Sequence, residues 1–467
     1  MPKLTKVIAT LGPATETEEV MKELILAGMN IARFNTKHGT PEWHLERIHR
    51  VKKVAKELGE AVGVLLDLQG PEIRINLKDE KSFELQQNDE VKFVAGDPAE
   101  KEMNIPQIVV DVIQVGDLVS VDDGICEFEI IKKEENGLIA KTLNPCVIKH
   151  RKTMNTPGII INMPSLIDND LLQLDNMTDE DIDFIGLSFV RNKEDIAILK
   201  EELKKRNLHA DIISKIENQA ALDNLDEIIE ASDGIMVARG DLAVEVPFEQ
   251  LAFWQKLIIE KSRAAGKPVI TATQMLESMI FSPRATRAEV SDVANAIYDG
   301  TDAVMLSGET ALGKYPVKCI ETQSKIALFN EPYAENYLWE FTDQDCVGAI
   351  TYAAFNLLEN RSNNIDRMIV LTRTGRTAKI FSRFRPGVQV KALTAEEKTC
   401  NKLSLAFGVD PVLIDPEFFH YQTEDELVNN LKEYKIAKKG EQILIIASFA
   451  KDIASRRTDS LSLITIK

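Results

Sequence analysis

Lys215 and Glu217 stand two residues apart near the carboxyl end of an apolar, β-rich run, Asp211-Ile-Ile-Ser-Lys-Ile-Glu-Asn218. Alternation along a strand puts both side chains on one face. A second apolar run, Gly234 to Ala238, delivers Arg239, Gly240 and Asp241 at its own end. One ammonium and two carboxylates at neighbouring strand ends form a layout in which a hard divalent cation, Mg2+ or Mn2+, can hold an anionic oxygen substrate. Taken alone, Lys215 and Glu217 read equally well as a structural ion pair, and the addition of Asp241 weighs against that reading.

Further groups stand at other strand ends. Gly240-Asp241-Leu-Ala-Val-Glu245 reads as a short helix start whose free N–H groups attract a carboxylate, although a plain glycine turn has the same pattern. Thr273 ends another run and offers a hydroxyl to position a carboxylate or relay a proton. Arg33, in Arg33-Phe-Asn35, and Arg74, after Gly70-Pro-Glu-Ile, supply two guanidinium groups suited to phosphate; ordinary salt bridges are the competing reading. Ser307, before Gly308 and Glu309, fits either a water-mediated proton path or a helix cap. Near the C terminus Thr372, Arg373, Thr374, Gly375, Arg376 and Thr377 lie between a strand and a helix, as a phosphate cradle would. Arg456 and Arg457 either clamp the same phosphate or solvate that edge.

These groups must be positioned by regular elements. Strand-like runs at Lys6 to Leu11, Met29 to Phe34 and Val62 to Leu66 alternate with helical stretches near Glu16 to Leu26 and Pro41 to Leu58. Five more runs follow later: Asp183 to Phe189, Asp211 to Ile216, Gly234 to Ala238, Pro268 to Thr273 and Asp302 to Ser307. Three and five make the eight strands of a closed (β/α)8 TIM barrel whose carboxyl ends form the catalytic rim. Between the two sets, residues 71–165 read as an inserted, β-barrel-like lid domain rich in turns. The predicted order is therefore barrel (1–70), lid (71–165), barrel (166–340) and a C-terminal open α/β regulatory domain (341–467), entered through the polar, aromatic connector Asn330 to Phe341.

The 467 residues suffice for several cores, and 74 acidic against 56 basic residues give a net charge of -18. That charge argues against a nucleic-acid or anionic-membrane partner. Five cysteines without paired spacing point to a reducing, cytoplasmic setting rather than disulfides or zinc. No apolar run reaches membrane-spanning length, and the N terminus has no signal-peptide core.

Long segments resemble the pyruvate kinase family: Thr5 to Pro13, Gly70 to Arg74, Ile213 to Asn218, Gly234 to Asp241, Ala272 to Met279 and Met305 to Thr310. The resemblance spans nearly the whole chain. It implies a phosphotransferase that moves the phosphoryl group of phosphoenolpyruvate to ADP, giving pyruvate and ATP at the last step of glycolysis. Glu217 and Asp241 would hold Mg2+ or Mn2+, and Lys215 with Arg33 would stabilise the transferring group. Ala238, Arg239, Gly240, Asp241 and Thr273 would receive the substrate, with Thr273 or a water chain to Ser307 protonating the enolate. Arg33, Asn35, His38, Arg74 and Lys152 match the nucleotide site, and Asn35, Asp67 and the Leu68 carbonyl match a potassium site. A homotetramer with an allosteric C-terminal site is also implied.

The chain departs from the family at three places. Lys37 stands where a serine ligates potassium, Gln69 replaces a lysine, and a glycine-rich effector loop is missing near Ala447 to Thr458. We expect the Lys37 ammonium to occupy or crowd the monovalent-cation position beside Asn35 and Asp67, so that activity does not require potassium; Glu72, which matches the family's potassium-dependent form, speaks against this, and a solvated Lys37 is the alternative. The missing loop speaks against sugar-phosphate control. The same changes motivate a rival reading, a catalytically attenuated paralogue acting as metabolite sensor or partner subunit. Another rival is a different barrel enzyme of pyruvate enolate chemistry, which leaves Arg33, Asn35 and Arg74 without a role.

Overall fold

A computed structural model describes residues 2–334, 345–359, 364–448 and 458–467. Eight parallel strands, Lys6–Thr10, Ile31–Asn35, Gly63–Asp67, Phe184–Leu187, Asp211–Ile216, Gly234–Ala238, Val269–Ala272 and Ala303–Leu306, pair in chain order. The last closes on the first, with Lys6 beside Ala303. Apolar residues on successive positions serve two layers, as barrel strands buried on both faces require. Val7, Ala9, Ile212 and Val237 pack outward under the helices. Ile8, Ile31, Leu65, Phe184, Ile213, Met236 and Ile270 fill the barrel interior.

The insert lies between the third and fourth strands. It holds a six-stranded sheet from Glu90 to Asn155, a ribbon pairing Phe83–Leu85 with Cys146–Ile148, and a core built on Phe93, Phe128 and Ile130. Its two connections to the barrel run side by side, bridged between Arg74 and Thr153.

The C-terminal sheet has the order Val409–Leu413, Val390–Thr394, Arg367–Leu371, Gln442–Ala447, Ser460–Thr465. The first four are parallel, in keeping with the expected open α/β domain. The fifth is antiparallel, and its half-exposed Ser460-Leu-Ser-Leu pattern carries too little apolar signal to be read as a strand from sequence. This domain seals the amino-terminal end of the barrel. Leu405 enters the interior apolar cluster, Arg385 pairs with Asp302 at 2.9 Å, and Lys6 Nζ donates to the Val409 carbonyl. The functional rim is thus left to the opposite end.

Helix Pro41–Leu58 begins behind that rim, capped by Thr40, whose side chain accepts from the Trp43 amide. It buries His44, whose Nε2 meets the His38 carbonyl at 2.8 Å. Burial pushes the His44 imidazole down to about 4, despite the favourable His38 carbonyl. The unfolded chain therefore takes up a proton near pH 6.5 that the folded chain refuses until about pH 4, so stability falls as pH drops through that window. His44→Gln keeps a donor for His38 and removes the titration. Urea unfolding at pH 7 and pH 4.5 should show the parent losing about 2 kcal/mol more than the variant; equal losses would count against a neutral, buried His44.

Candidate active site

The site grows out of strand alternation. Ile31, Leu65 and Ile213 point into the barrel, so the residues two further on, Arg33, Asp67 and Lys215, point inward one layer nearer the carboxyl rim. The fourth strand contributes Gly186 at this level, beside Asp67 in register. A Cβ at Gly186 would lie 2.8 Å from Asp67 Oδ1. The missing side chain lets the Asp67 carboxylate reach across the fourth strand toward the fifth.

Asp67 accordingly binds both cations. Arg33 Nε donates to Asp67 Oδ2 at 2.7 Å, and Lys215 Nζ lies 3.3 Å from Oδ1. Arg33 also donates to Thr10 Oγ1 at 2.8 Å. Lys215 Nζ continues to Glu217 Oε1 at 2.9 Å and donates to Ser188 Oγ at 2.8 Å. Burial disfavours each charge, but the neighbours decide the outcome. Lys215 and Arg33 hold the Asp67 carboxyl below its ordinary value, while Asp67 and Glu217 hold the Lys215 ammonium above its own.

Glu217 differs. Burial, aided by the Asp241 carboxylate, outweighs the attraction of Lys215 and raises its carboxyl to about 7. Its second oxygen accepts from the Phe189 amide at 2.7 Å, and Phe189 adopts a left-handed φ of 55°. Asp241 lies in the first turn of helix Arg239–Glu245, after the sixth strand. Two carboxylates that repel each other, one of them in a dry pocket, could together hold a divalent cation. Among the described residues no group of three or more His, Cys, Asp or Glu forms a closed metal site. The remaining ligands of such an ion would be substrate and water oxygens.

The other predicted groups separate by their partners. Thr273 follows the seventh strand at φ 67°; its Oγ1 accepts from the Gly240 amide at 2.8 Å and donates to the Ala272 carbonyl at 2.7 Å. The Arg239 side chain turns away from Asp241, binding Asp292 in two places and the Thr273 carbonyl at 2.8 Å. It therefore clamps the strained Thr273 turn. The Ser307 amide donates to Glu309 Oε2 at 2.7 Å, a local cap of the next helical turn.

On the lid side, a cleft of about 810 Å³ is lined by Lys37, Glu72, Arg74, Asp123, Gly240 and Asp241. Arg74 binds Glu72 at 2.7 Å, and Lys152 binds Asp122 of the lid at 2.6 Å. His38 is exposed, beside Asn35. Asn35 Oδ1 accepts from the Lys37 amide at 3.2 Å, whereas the Lys37 ammonium pairs with Glu72. The Lys37 ammonium is thus neither free in solvent nor hydrogen-bonded to the side chain of Asn35 or Asp67. Gln69 turns to Asn169 at 3.1 Å, and the Leu68 carbonyl accepts from Ser188 Oγ at 2.7 Å.

Sequence reasoning missed Ser188, which ties Lys215 to the third strand, and the role of Asp67 as the common partner of Arg33 and Lys215. Ser188 carried a usable signal, since it ends the apolar run Phe184–Leu187 as Lys215 ends its own. In the C-terminal domain Thr372, Arg373, Thr374, Arg376 and Thr377 line a cavity of about 610 Å³ with Tyr421 and Ser448. Gly375 provides the turn at φ 79°, its amide donating to Thr372 Oγ1 at 3.0 Å. Arg456 and Arg457 lie outside the described residues.

Comparison with known proteins matches this geometry to one family. Residues 2–320 fit the family model "Pyruvate kinase, barrel domain" and residues 348–464 fit "Pyruvate kinase, alpha/beta domain". A pyruvate kinase of Staphylococcus epidermidis is 40% identical over 442 residues, covering 91% of this chain and 74% of its own. That of Geobacillus stearothermophilus is 39% identical over 461 residues, covering 96% and 78%. The crystal structure of a pyruvate kinase from Cryptosporidium parvum superposes with a TM-score of 0.90 at 31% identity, over 100% of this chain and 96% of that one. The barrel, its rim of paired charges and its C-terminal sheet belong together: this chain is a member of the pyruvate kinase family.

Proposed function

We propose that the chain transfers the phosphoryl group of phosphoenolpyruvate to ADP and protonates the resulting enolate to pyruvate. The observation that carries this is the buried lattice Arg33–Asp67–Lys215–Glu217 beside Asp241, which sets two fixed cations and two cation-seeking carboxylates around one point of the rim. Phosphoryl transfer through a loose transition state is mainly a matter of positioning and charge stabilisation. Lys215 and Arg33 would face the equatorial oxygens of the transferring group. A divalent ion, Mg2+ or Mn2+, held by Glu217 and Asp241, would supply charge neutralisation at the enolate oxygen. The backbone from Ala238 to Asp241 would receive the substrate carboxylate, displacing Thr273 Oγ1 from the Gly240 amide. The freed Thr273 hydroxyl, or a water chain from Ser307, would then stand ready as proton donor. Asn35, His38, Arg74 and Lys152 would meet the nucleotide phosphates from the barrel and lid sides. Retention of every one of these groups gives no support to the sensor reading.

Three finer points belong to the same proposal. The Lys37 ammonium, though paired with Glu72, acts through space on Asp67 and contributes to holding it ionised; we take it to supply the charge that K+ brings elsewhere in the family. The Thr372 to Thr377 turn, with its large cavity, suits a phosphorylated effector. Phe281, Phe329 and Tyr333 stand exposed, as self-association into a homotetramer would require. Among the described residues no helix is long and apolar enough to cross a membrane, and all five cysteines are free thiols, which fits the cytoplasm.

A coupled assay of pyruvate formation tests the activity. Lys215→Met should lose about 3 kcal/mol of transition-state stabilisation, roughly a hundredfold or more in kcat; a variant as fast as the parent would remove Lys215 from the reaction. Turnover in tetramethylammonium buffer should rise less than about threefold when K+ is added, because Lys37 is already in place. Strong stimulation would show that the ammonium is no substitute.

A further inference from the structure

The two connections of the lid border a second, half-open cavity, which adjoins the substrate cleft at Glu72 and Thr153. Its volume is about 140 Å³, close to the roughly 150 Å³ of an engineered apolar cavity that takes up benzene. Ile73 of the outgoing connection, Met154 and Ile161 of the returning one, and Phe189 of the barrel provide apolar walls. The Met154 amide donates to the Ile73 carbonyl at 2.8 Å, so the walls belong to the hinge itself.

One end of the cavity is polar and rich in acceptors. Asn155 is buried, 7% exposed, and its Oδ1 has no hydrogen-bond partner. Beside it lies Glu245, at the end of the helix that carries Asp241. Burial, together with the Asp241 carboxylate, pushes the Glu245 carboxyl up to about 7 in spite of the Asn155 side chain and the Thr156 amide. The other charged groups in the lining are already engaged. Glu72 holds Lys37 and Arg74, Arg191 binds Asp195 at 2.8 Å, and Asp223 accepts from Gln219 at 2.7 Å. An unused buried acceptor beside a half-buried carboxyl that no cation of the lining pairs with calls for a donor carrying positive charge.

We propose that this hinge cavity binds a small primary amine with a branched or compact apolar body, its ammonium seated between Asn155 Oδ1 and the Glu245 carboxylate. The hydrocarbon lies against Ile73, Met154, Ile161 and Phe189. Occupancy bears on catalysis through Phe189, whose amide fixes Glu217 and whose left-handed backbone has little room to shift. It also wedges the two lid connections, so it alters lid closure as well as turnover.

The binding test is independent of activity. The chain is labelled with 13C-methyl methionine, and isobutylamine is titrated while the signals of Met154 and Met163, both in the lining, are followed. Saturable shifts are expected with isobutylamine and none with isobutyrate, which has the same body and the opposite charge. Glu245→Gln should weaken binding at least tenfold, and Ile161→Phe, which fills the space, should abolish it. The proposal is overturned if the parent gives no saturable shift, if isobutyrate binds as well, or if both variants respond like the parent.

Discussion

The reach of the Asp67 carboxylate over Gly186 is the constraint on which the rim depends. Arg33 and Lys215 sit on the second and fifth strands, too far apart around the barrel to be organised by neighbouring-strand contacts alone. A single buried carboxylate spanning the fourth strand fixes both. Desolvation would make either cation costly in isolation. The lattice offsets that cost with short contacts and with the hydroxyls of Thr10 and Ser188, so the guanidinium and ammonium are charged and oriented before any substrate arrives. Any side chain at Gly186 would disturb Asp67 first, and through it both cations.

Above that lattice the charges are left incomplete. Glu217 is held by Lys215 and by the Phe189 amide, yet its burial and the nearby Asp241 keep its carboxyl high. Asp241 rides on the short helix Arg239–Glu245, which is fixed from below by the Arg239–Asp292 clamp and approached from the lid by Gly124, whose Cβ position would lie 3.6 Å from Val244. The lid thus rests on the element that carries one of the two cation-seeking carboxylates. The hinge cavity and Phe189 border the same helix through Glu245 and the same cleft through Glu72. Stability of the lower lattice and incompleteness of the upper pair are two aspects of one arrangement.

Much of this was legible in the sequence because alternation is a local rule. The eight strands, the break after the third, and the common face of Lys215 and Glu217 follow from apolar periodicity without tertiary information. Asp67 was recognised only as a cation ligand, since nothing local says that it bridges across a glycine on another strand. Lys37 was expected beside Asn35 and Asp67, but its long side chain finds the Glu72 carboxylate, placed there by the fold of the lid connection. Arg239 reads as a substrate group by position and turns out to clamp the Thr273 turn, because its partner Asp292 is distant in sequence. The edge strand Ser460–Thr465 was lost for the opposite reason, a weak apolar pattern on a half-exposed edge. What sequence conceals here is the long-range choice of partner by charged side chains.

The central claim is that Glu217 and Asp241 form the seat of a divalent ion directly above the Asp67 lattice. Anomalous diffraction at the manganese edge, from crystals grown with Mn2+ and oxalate, tests it most directly. One strong peak is expected within ligand distance of both carboxylates, with Lys215 Nζ on the oxalate side. A peak elsewhere, or Glu217 still paired only with Lys215 and the Phe189 amide in the presence of the ion, would contradict it.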